Sequence, residues 1–323
     1  DLQTKRRRPA LLKDIENVGV GYYIEKVIPT FLANIFGSFL RHKVLAYSDK
    51  TTLETLQSLT TNEKLIGVLT AQYGDYGLPP SKSSFYMHAL LANHYMEGAG
   101  YPVGGAANIA QTIVPVIEQA GGSVLFCAEV KQVIVEHNKA LGVEMMDGKR
   151  IDADFVISDT GVINTFSQLL SPEVQAQHQL KEKLAELEPS AAHIGLYLGL
   201  KGSVRDLRLP ACNYWVFPPE YNHEKSQEQY KNIDSPLPVA YISFPAAKDP
   251  EWQENHPDTS TVEVIIIVPY EWFSKWEETT WRKRGEEYEA LKQKVAEQML
   301  EVLYRVEPQL KGIVEYMEVS TPL

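Results

Sequence analysis

Glycines carry the clearest chemical signal in this sequence. Gly104-Gly105 stands directly before Ala106 to Ala120, where Ile109, Ile113, Val116, Ile117 and Ala120 recur at helical spacing. The first N–H groups of a helix lack intrahelical partners and lie at the positive end of its dipole. A glycine pair there lets an anionic or electron-rich group approach the backbone closely. A plain turn is the other reading of the same residues. The familiar reaction-bearing patterns are missing. Gly19-Val20-Gly21 opens like a dinucleotide fingerprint, but the third glycine is absent and the preceding Asp14-Ile15-Glu16-Asn17 is too polar for the strand such a turn needs. No Gly-x-Ser-x-Gly elbow occurs. His88 and His94 are separated by about 240° around a helix, so they do not form a local metal pair. Cys127 and Cys212 match neither a metal motif nor a disulfide framework, and neither has the flanks of a nucleophile. Cys127 lies in an alternating apolar run, which predicts a buried, reduced thiol and suits a reducing compartment.

The elements that must position these residues follow from the period of the apolar pattern. Residues 11–47 read as a helix with an apolar face from Val20 to Phe39, kinked or divided at Pro29. Thr51 with Glu54, and Thr60 with Glu63, form two capping-box patterns, predicting helices at 52–59 and 61–72. Gly74 to Pro80 is a loop, Ser84 to Glu97 a helix, and Gly121-Gly122 the end of the helix that starts at Ala106. From Ser123 to Glu136 the period changes to two, which predicts a strand. Leu141–Met146 and Ile151–Ser158 are further strands joined through Asp147-Gly148, a hairpin signal. Helices return at 161–170 and 172–188. Strands fit 193–200, 213–217, 239–244, 261–268 and 313–319, and a long helix fits 279–305. The polar, proline-containing stretches 218–237 and 245–260 read as surface loops.

Bulk properties exclude several classes. With 323 residues, 44 % of them apolar and 23 % charged, the chain is an ordinary globular sequence long enough for roughly two domains. A net charge of -11 argues against a nucleic-acid-binding body. The basic run Lys5 to Arg8 is a solvated segment or a contact for anionic lipid headgroups. No leader pattern and no apolar run of about 18 residues is seen, which predicts a cytoplasmic or peripheral membrane location.

One long ordered string brings these parts together. Tyr101-Pro102-Val103-Gly104-Gly105, the following helix, Gly121-Gly122, Ala128-Glu129-Val130, Asp147-Gly148 and Ile157-Ser158-Asp159 resemble the phytoene desaturase, carotenoid isomerase and retinol saturase family of flavoproteins. Gln72 to Pro80 and Ser84-Phe85 resemble its retinol saturase branch in particular. The similarity is strong over about 45–170 and rests on pattern elsewhere. It implies an FAD enzyme that moves a hydride between flavin and a conjugated double bond of a carotenoid or retinoid-like polyene. It also implies cofactor contacts through the backbone: Glu129 and Val130 beside the adenine, the Ser158-Asp159-Thr160-Gly161 turn near ribose and phosphates, and Gly104-Gly105 at the isoalloxazine end. Tyr76, His88 and Tyr101 are candidate pocket residues, with packing or a surface position as the alternative for each. No general acid or base stands out.

The family also starts with a strand, a Gly-x-Gly-x-x-Gly turn and a helix, and an acidic residue that binds ribose, none of which occurs here. It ends with a further flavin-contacting segment that this sequence lacks. The expectation is therefore a fragment that holds FAD weakly or not at all and is inactive in isolation. The expected fold is α/β, a partial Rossmann-like FAD-binding domain with a β-meander plus a mixed-sheet and helical substrate domain. The expected boundaries are 1–100 for a helical substrate-side segment, 101–165 for the flavin piece and 166–323 for the substrate domain. The helical face at 20–39 lines a polyene tunnel, rests in a membrane interface or packs in a core. Two other readings are a carotenoid cis–trans isomerase and a flavin-less lipid-binding or interaction remnant. An amine-oxidising relative of the same architecture ranks below them.

Overall fold

The computed structural model describes residues 46–187, 191–280 and 282–323. The helix expected over 11–47 lies outside the described residues up to position 45, and the 20–39 face with it. The chain divides into two compact units. One is the contiguous segment 102–190; the other joins the chain up to Tyr101 to Ala191–Leu323.

The second unit begins with α1 (Thr52–Leu59), α2 (Glu63–Leu69) and α3 (Phe85–Tyr95). At α1 the capping box forms: the Glu54 N–H donates to Thr51 Oγ1 at 3.1 Å and the Thr51 N–H donates to Glu54 Oε2 at 2.9 Å. The second expected box does not form. Asn62 caps α2 instead, accepting from the Leu65 N–H at 3.1 Å, because Thr60 ends α1 in an extended conformation and sits two residues too early. The loop at 74–80 opens with a short 3-10 turn, Tyr73–Asp75.

The contiguous unit holds α4 (Ala107–Gln119), the strands β1 (Val130–Glu136), β2 (Lys139–Met145) and β3 (Arg150–Asp152), and the short helices α5 (Val162–Ser167), α6 (Pro172–Gln177) and α7 (Leu180–Ala185). Helix α4 ends as its sequence predicts. The Gly121 N–H bonds to the Glu118 carbonyl and the Gly122 N–H to that of Ile117, the paired pattern that satisfies the last carbonyls of a helix. The meander β1-β2-β3 is antiparallel and in sequence order. Two expected strands are shorter than their apolar alternation suggested. The run 123–136 is a strand only from Val130, and 151–158 only to Asp152. Alternation marks a segment able to pair, and among the described residues no strand lies alongside 123–128 or 154–158. Cys127, expected to be buried, is exposed and has a φ of 52°. The helix expected at 172–188 breaks at Gln179, which is left-handed.

Beyond residue 190 the other unit resumes with β4 (Ala192–Lys201), β5 (Tyr214–Val216), α8 (His223–Gln229), β6 (Ala240–Ser243), α9 (Pro245–Lys248), α10 (Pro250–Asn255), β7 (Thr259–Val268), α11 (Glu286–Val306) and β8 (Val314–Ser320). The two stretches expected to be loops thus hold α8, α9 and α10. Each of the three starts at a residue whose local chemistry favours a helical turn: the Asn222 cap, Pro245, and Pro250 behind Asp249. The strands form one sheet, β5-β6-β7-β4-β8. The α/β class holds, while the sheet expected to be mixed pairs antiparallel at every ladder among the described strands.

Alternation sorts this sheet into two faces. Ile194, Leu196, Leu198 and Leu200 of β4 and Val262, Val264, Ile266 and Val268 of β7 point to one side and are buried. Helix α11 covers them with Val295, Ala296, Met299 and Leu303, spaced at three and four residues and buried in the same cluster. His193, Tyr197, Glu263, Ile265, Ile267 and Tyr241 point to the opposite side.

Candidate functional site

That opposite face carries a pocket of about 170 Å³, lined by Gly74, Asp75, His193, Trp215, Val239, Tyr241 and Ile265–Ile267. All of these belong to one compact unit. The floor is apolar and aromatic, with Trp215 and Tyr241 in contact across neighbouring strands at 4.9 Å between ring centroids. The loop that carries Gly74 and Asp75 is held in place from below. Tyr73 is fully buried, stacks at 4.9 Å on His223, and has its phenol pushed up to about 12 by burial. His223 in turn donates from Nε2 to the Gly67 carbonyl at 2.9 Å.

Gly74 is there because nothing larger fits. A Cβ on it would lie 2.3 Å from Cζ3 and 2.4 Å from Cη2 of Trp215, far inside van der Waals contact. The indole therefore lies against bare backbone. The rim is polar. The Tyr95 hydroxyl donates to the Asp75 carboxylate, and desolvation raises the pKa of Asp75 above the usual carboxylate range. His193 is shifted down, towards the neutral imidazole, by desolvation.

A second polar group on this unit surrounds Lys248. Its Nζ donates to Ser243 Oγ at 2.8 Å and to Asn213 Oδ1. It lies 5.4 Å from the centre of the Tyr101 ring. Desolvation lowers the Lys248 pKa, and nearby Glu263 opposes that shift.

The substrate-side residues expected from sequence fall in this unit. Tyr76 and His88 meet, with the phenol oxygen 3.2 Å from Nδ1 and the rings edge to face. Burial lowers the His88 pKa and raises that of Tyr76. Neither lines the pocket, although Asp75, the residue before Tyr76, does. Tyr101 sits on Lys248 instead. Pocket residues such as Trp215, Tyr241 and His193 carried no sequence signal of their own. They come from separate strands, and only the sheet register brings them together.

The cofactor-side residues expected from sequence fall in the 102–190 unit. Gly104 and Gly105 both have positive φ, 84° and 78°, immediately before α4. Only glycine takes two such residues in succession without steric cost. The turn is braced by Asn108, whose Nδ2 donates to the Val103 carbonyl at 2.7 Å. Glu129 accepts the Met146 N–H at 3.0 Å, and Val130 opens β1 opposite Met145. Ser158 and Thr160 form a hydroxyl cluster with Thr165, with contacts of 2.7 to 3.1 Å, and Asp159 lies exposed between them. Both glycines of the turn lie in the left-handed region, where any other residue would be strained. Among the described residues there is no strand, glycine turn and helix to hold a pyrophosphate.

Fold and sequence together define the class. Residues 45–299 match the model of the flavin containing amine oxidoreductase family, and the chain belongs to that family. That family is one of flavin-dependent oxidoreductases. The chain is 35 % identical over 306 residues to "All-trans-retinol 13,14-reductase" of Danio rerio, covering 92 % of this chain and 49 % of that protein. It is 27 % identical to "Prolycopene isomerase, chloroplastic" of Arabidopsis thaliana, over 72 % of this chain and 36 % of that protein. The chain spans about half the length of the first of these relatives. In fold it is similar to the crystal structure of an oxidoreductase from Methanosarcina mazei. There the TM-score is 0.56 and the identity 20 %, with 89 % of this chain and 60 % of that one covered. No helix among the described residues is long and apolar enough to cross a membrane.

Proposed function

We propose that the protein is an FAD-dependent oxidoreductase acting on a conjugated double bond of a retinoid-like or carotenoid polyene, with the sheet-face pocket as part of its substrate site. The observation that carries this reading is the 35 % identity, extending over nearly the whole chain, to a protein named for reducing one double bond of all-trans-retinol. The pocket agrees with it, since a floor of Trp215, Tyr241, Ile265 and Ile267 suits an apolar conjugated ligand. FAD, when bound, supplies hydride exchange with the double bond. This chain's own residues bind the polyene, orient it and keep water from it. In the same reading Gly104, Gly105, Glu129, Val130, Ser158, Asp159 and Thr160 form the flavin side, within residues 101–165. The substrate contacts lie on either side of that segment, at 1–100 and 166–323, and membrane-dissolved substrate makes peripheral membrane association a natural accompaniment.

The test is a flavin titration of the purified chain and of any longer product of its gene. All-trans-retinol is then added to the reduced, FAD-loaded form. The expected result is reoxidised flavin and a product carrying two more hydrogens. A product of unchanged mass and altered double-bond geometry would support isomerisation, the activity named for the Arabidopsis relative. Failure of every form to bind flavin would overturn the reading.

A further inference from the structure

The reaction proposed above needs a proton as well as a hydride, and the inference drawn here rests on that reading. Saturating a double bond puts a hydride on one carbon and a proton on its neighbour. Flavin, when bound, supplies the hydride. We infer that Tyr241 delivers the proton, and that Ser243 and Lys248 form the relay that replaces it. Tyr241 and Ser243 are two apart on β6, so their side chains leave the sheet on one face. Lys248, the last residue of α9, donates from Nζ to Ser243 Oγ at 2.8 Å. The Ser243 hydroxyl in turn donates to the Tyr241 oxygen.

The order of donors and acceptors fixes the direction of travel. An ammonium only donates, so Ser243 accepts from Lys248 and is left with its own proton to give. The Tyr241 oxygen accepts that hydrogen bond and keeps its O–H for a group in the pocket that it lines. In the transfer the O–H bond of Tyr241 breaks and a C–H bond forms on the polyene. The phenolate takes the Ser243 proton, Ser243 takes one from Lys248, and half-buried Lys248 recovers its own from water. Asn213 and the face of Tyr101, at 5.4 Å, hold the ammonium in place. Ser243 is buried, which keeps water from bypassing the relay. Burial first, then Asp75, Tyr95 and Glu263 around it, hold the Tyr241 phenol protonated until it reacts. The other titratable groups lining the pocket, Asp75 and His193, are both exposed and exchange protons with water directly, so a buried relay serves Tyr241 alone.

The experiment separates proton delivery from binding. In the purified chain without flavin, binding of all-trans-retinol is read from tryptophan fluorescence quenching, and the phenols are titrated by ultraviolet difference absorbance. In the reduced, FAD-loaded form, single-turnover reoxidation by retinol is followed. Tyr241→Phe keeps the ring, so it should bind retinol within about threefold of the wild type yet reoxidise about a hundredfold more slowly. Ser243→Ala and Lys248→Met should each slow reoxidation about tenfold, with the double variant no slower than either alone. Lys248→Arg should restore most of the rate. In the flavin-free chain, the phenol titration that Tyr241→Phe removes should move to higher pH in Ser243→Ala and Lys248→Met, a change that a purely structural role would not produce. Reoxidation by Tyr241→Phe within about threefold of the wild type would overturn the inference. An unmoved phenol titration, or losses that add in the double variant, would overturn the relay. No reoxidation by the wild type itself would overturn the proposed reaction and the proton transfer with it, so the wild type alone shows which of the two has failed.

Discussion

The two compact units differ in what they bury. The unit containing the five-stranded sheet has a closed core, in which Ile194, Leu196, Val262, Val264, Met299 and Leu303 have essentially no contact with water. The 102–190 unit buries Val133 and Met145 and few other side chains, and leaves Phe126, Phe155 and Ile157 83 %, 86 % and 95 % exposed. Helix α4 has no buried residue. Both units obey their local sequence signals, with caps, turns and a meander where expected. Local signals make elements, but only a second apolar surface makes a core. The sheet unit has one in α11. Among the described residues the 102–190 unit has no comparable cover, and exposed apolar area of this kind marks a surface that meets something.

This contrast is open to direct tests, the largest effect first. Leu196→Ala should cost about 2–5 kcal/mol in the sheet unit, because the cavity cannot collapse between β4, β7 and α11. Hydrogen exchange should show that loss in β4, β7 and α11 and leave β1 and β2 unchanged. A uniform loss across both units would show that they unfold as one and break the comparison. Gly74→Ala should cost about 1–3 kcal/mol by forcing Trp215 from its place. It should also shift the tryptophan emission, which checks the packing independently of stability.

A smaller effect should follow pH. Burial holds the folded pKa of His223 below its ordinary value of 6.5. The unfolded chain therefore takes up the proton more readily, and stability falls as pH drops from 6.5 towards the folded value. Thermal melts across that range should show the sheet unit weakening in acid. In His223→Gln, whose amide still donates to Gly67, the dependence should flatten. The smallest effect belongs to the other unit. Phe155→Ser should change stability by no more than about 0.5 kcal/mol while lowering the binding of a hydrophobic dye. A loss of several times that amount would mean that Phe155 is covered in solution.

Much of the local structure was legible in the residues. The Thr51–Glu54 box, the Gly121-Gly122 terminus and the Asp147-Gly148 turn each rest on interactions within a few positions, and each formed as expected. The failures share a cause. Residues 123–128 and 154–158 have the alternation of strands but no neighbouring strand among the described residues, and a strand is defined by its partner. Cys127 was expected to be buried because its neighbours are apolar, yet burial depends on what packs against a segment. The second capping box failed because Asn62 competed for the same helix start. The pocket shows the same limit. Asp75 was one residue from a site candidate, but His193 looked like any polar position of an alternating strand.

By itself the sequence determined the periodicities, the caps, the paired glycines before α4 and the family string from Tyr101 to Asp159, because these depend on covalent order and near neighbours. Tertiary structure alone decided which face of the sheet α11 covers, which face stays open, and that Asp75, His193 and Trp215 share one pocket. Those outcomes depend on strand register and on packing between segments more than a hundred residues apart, distances over which no local pattern carries information.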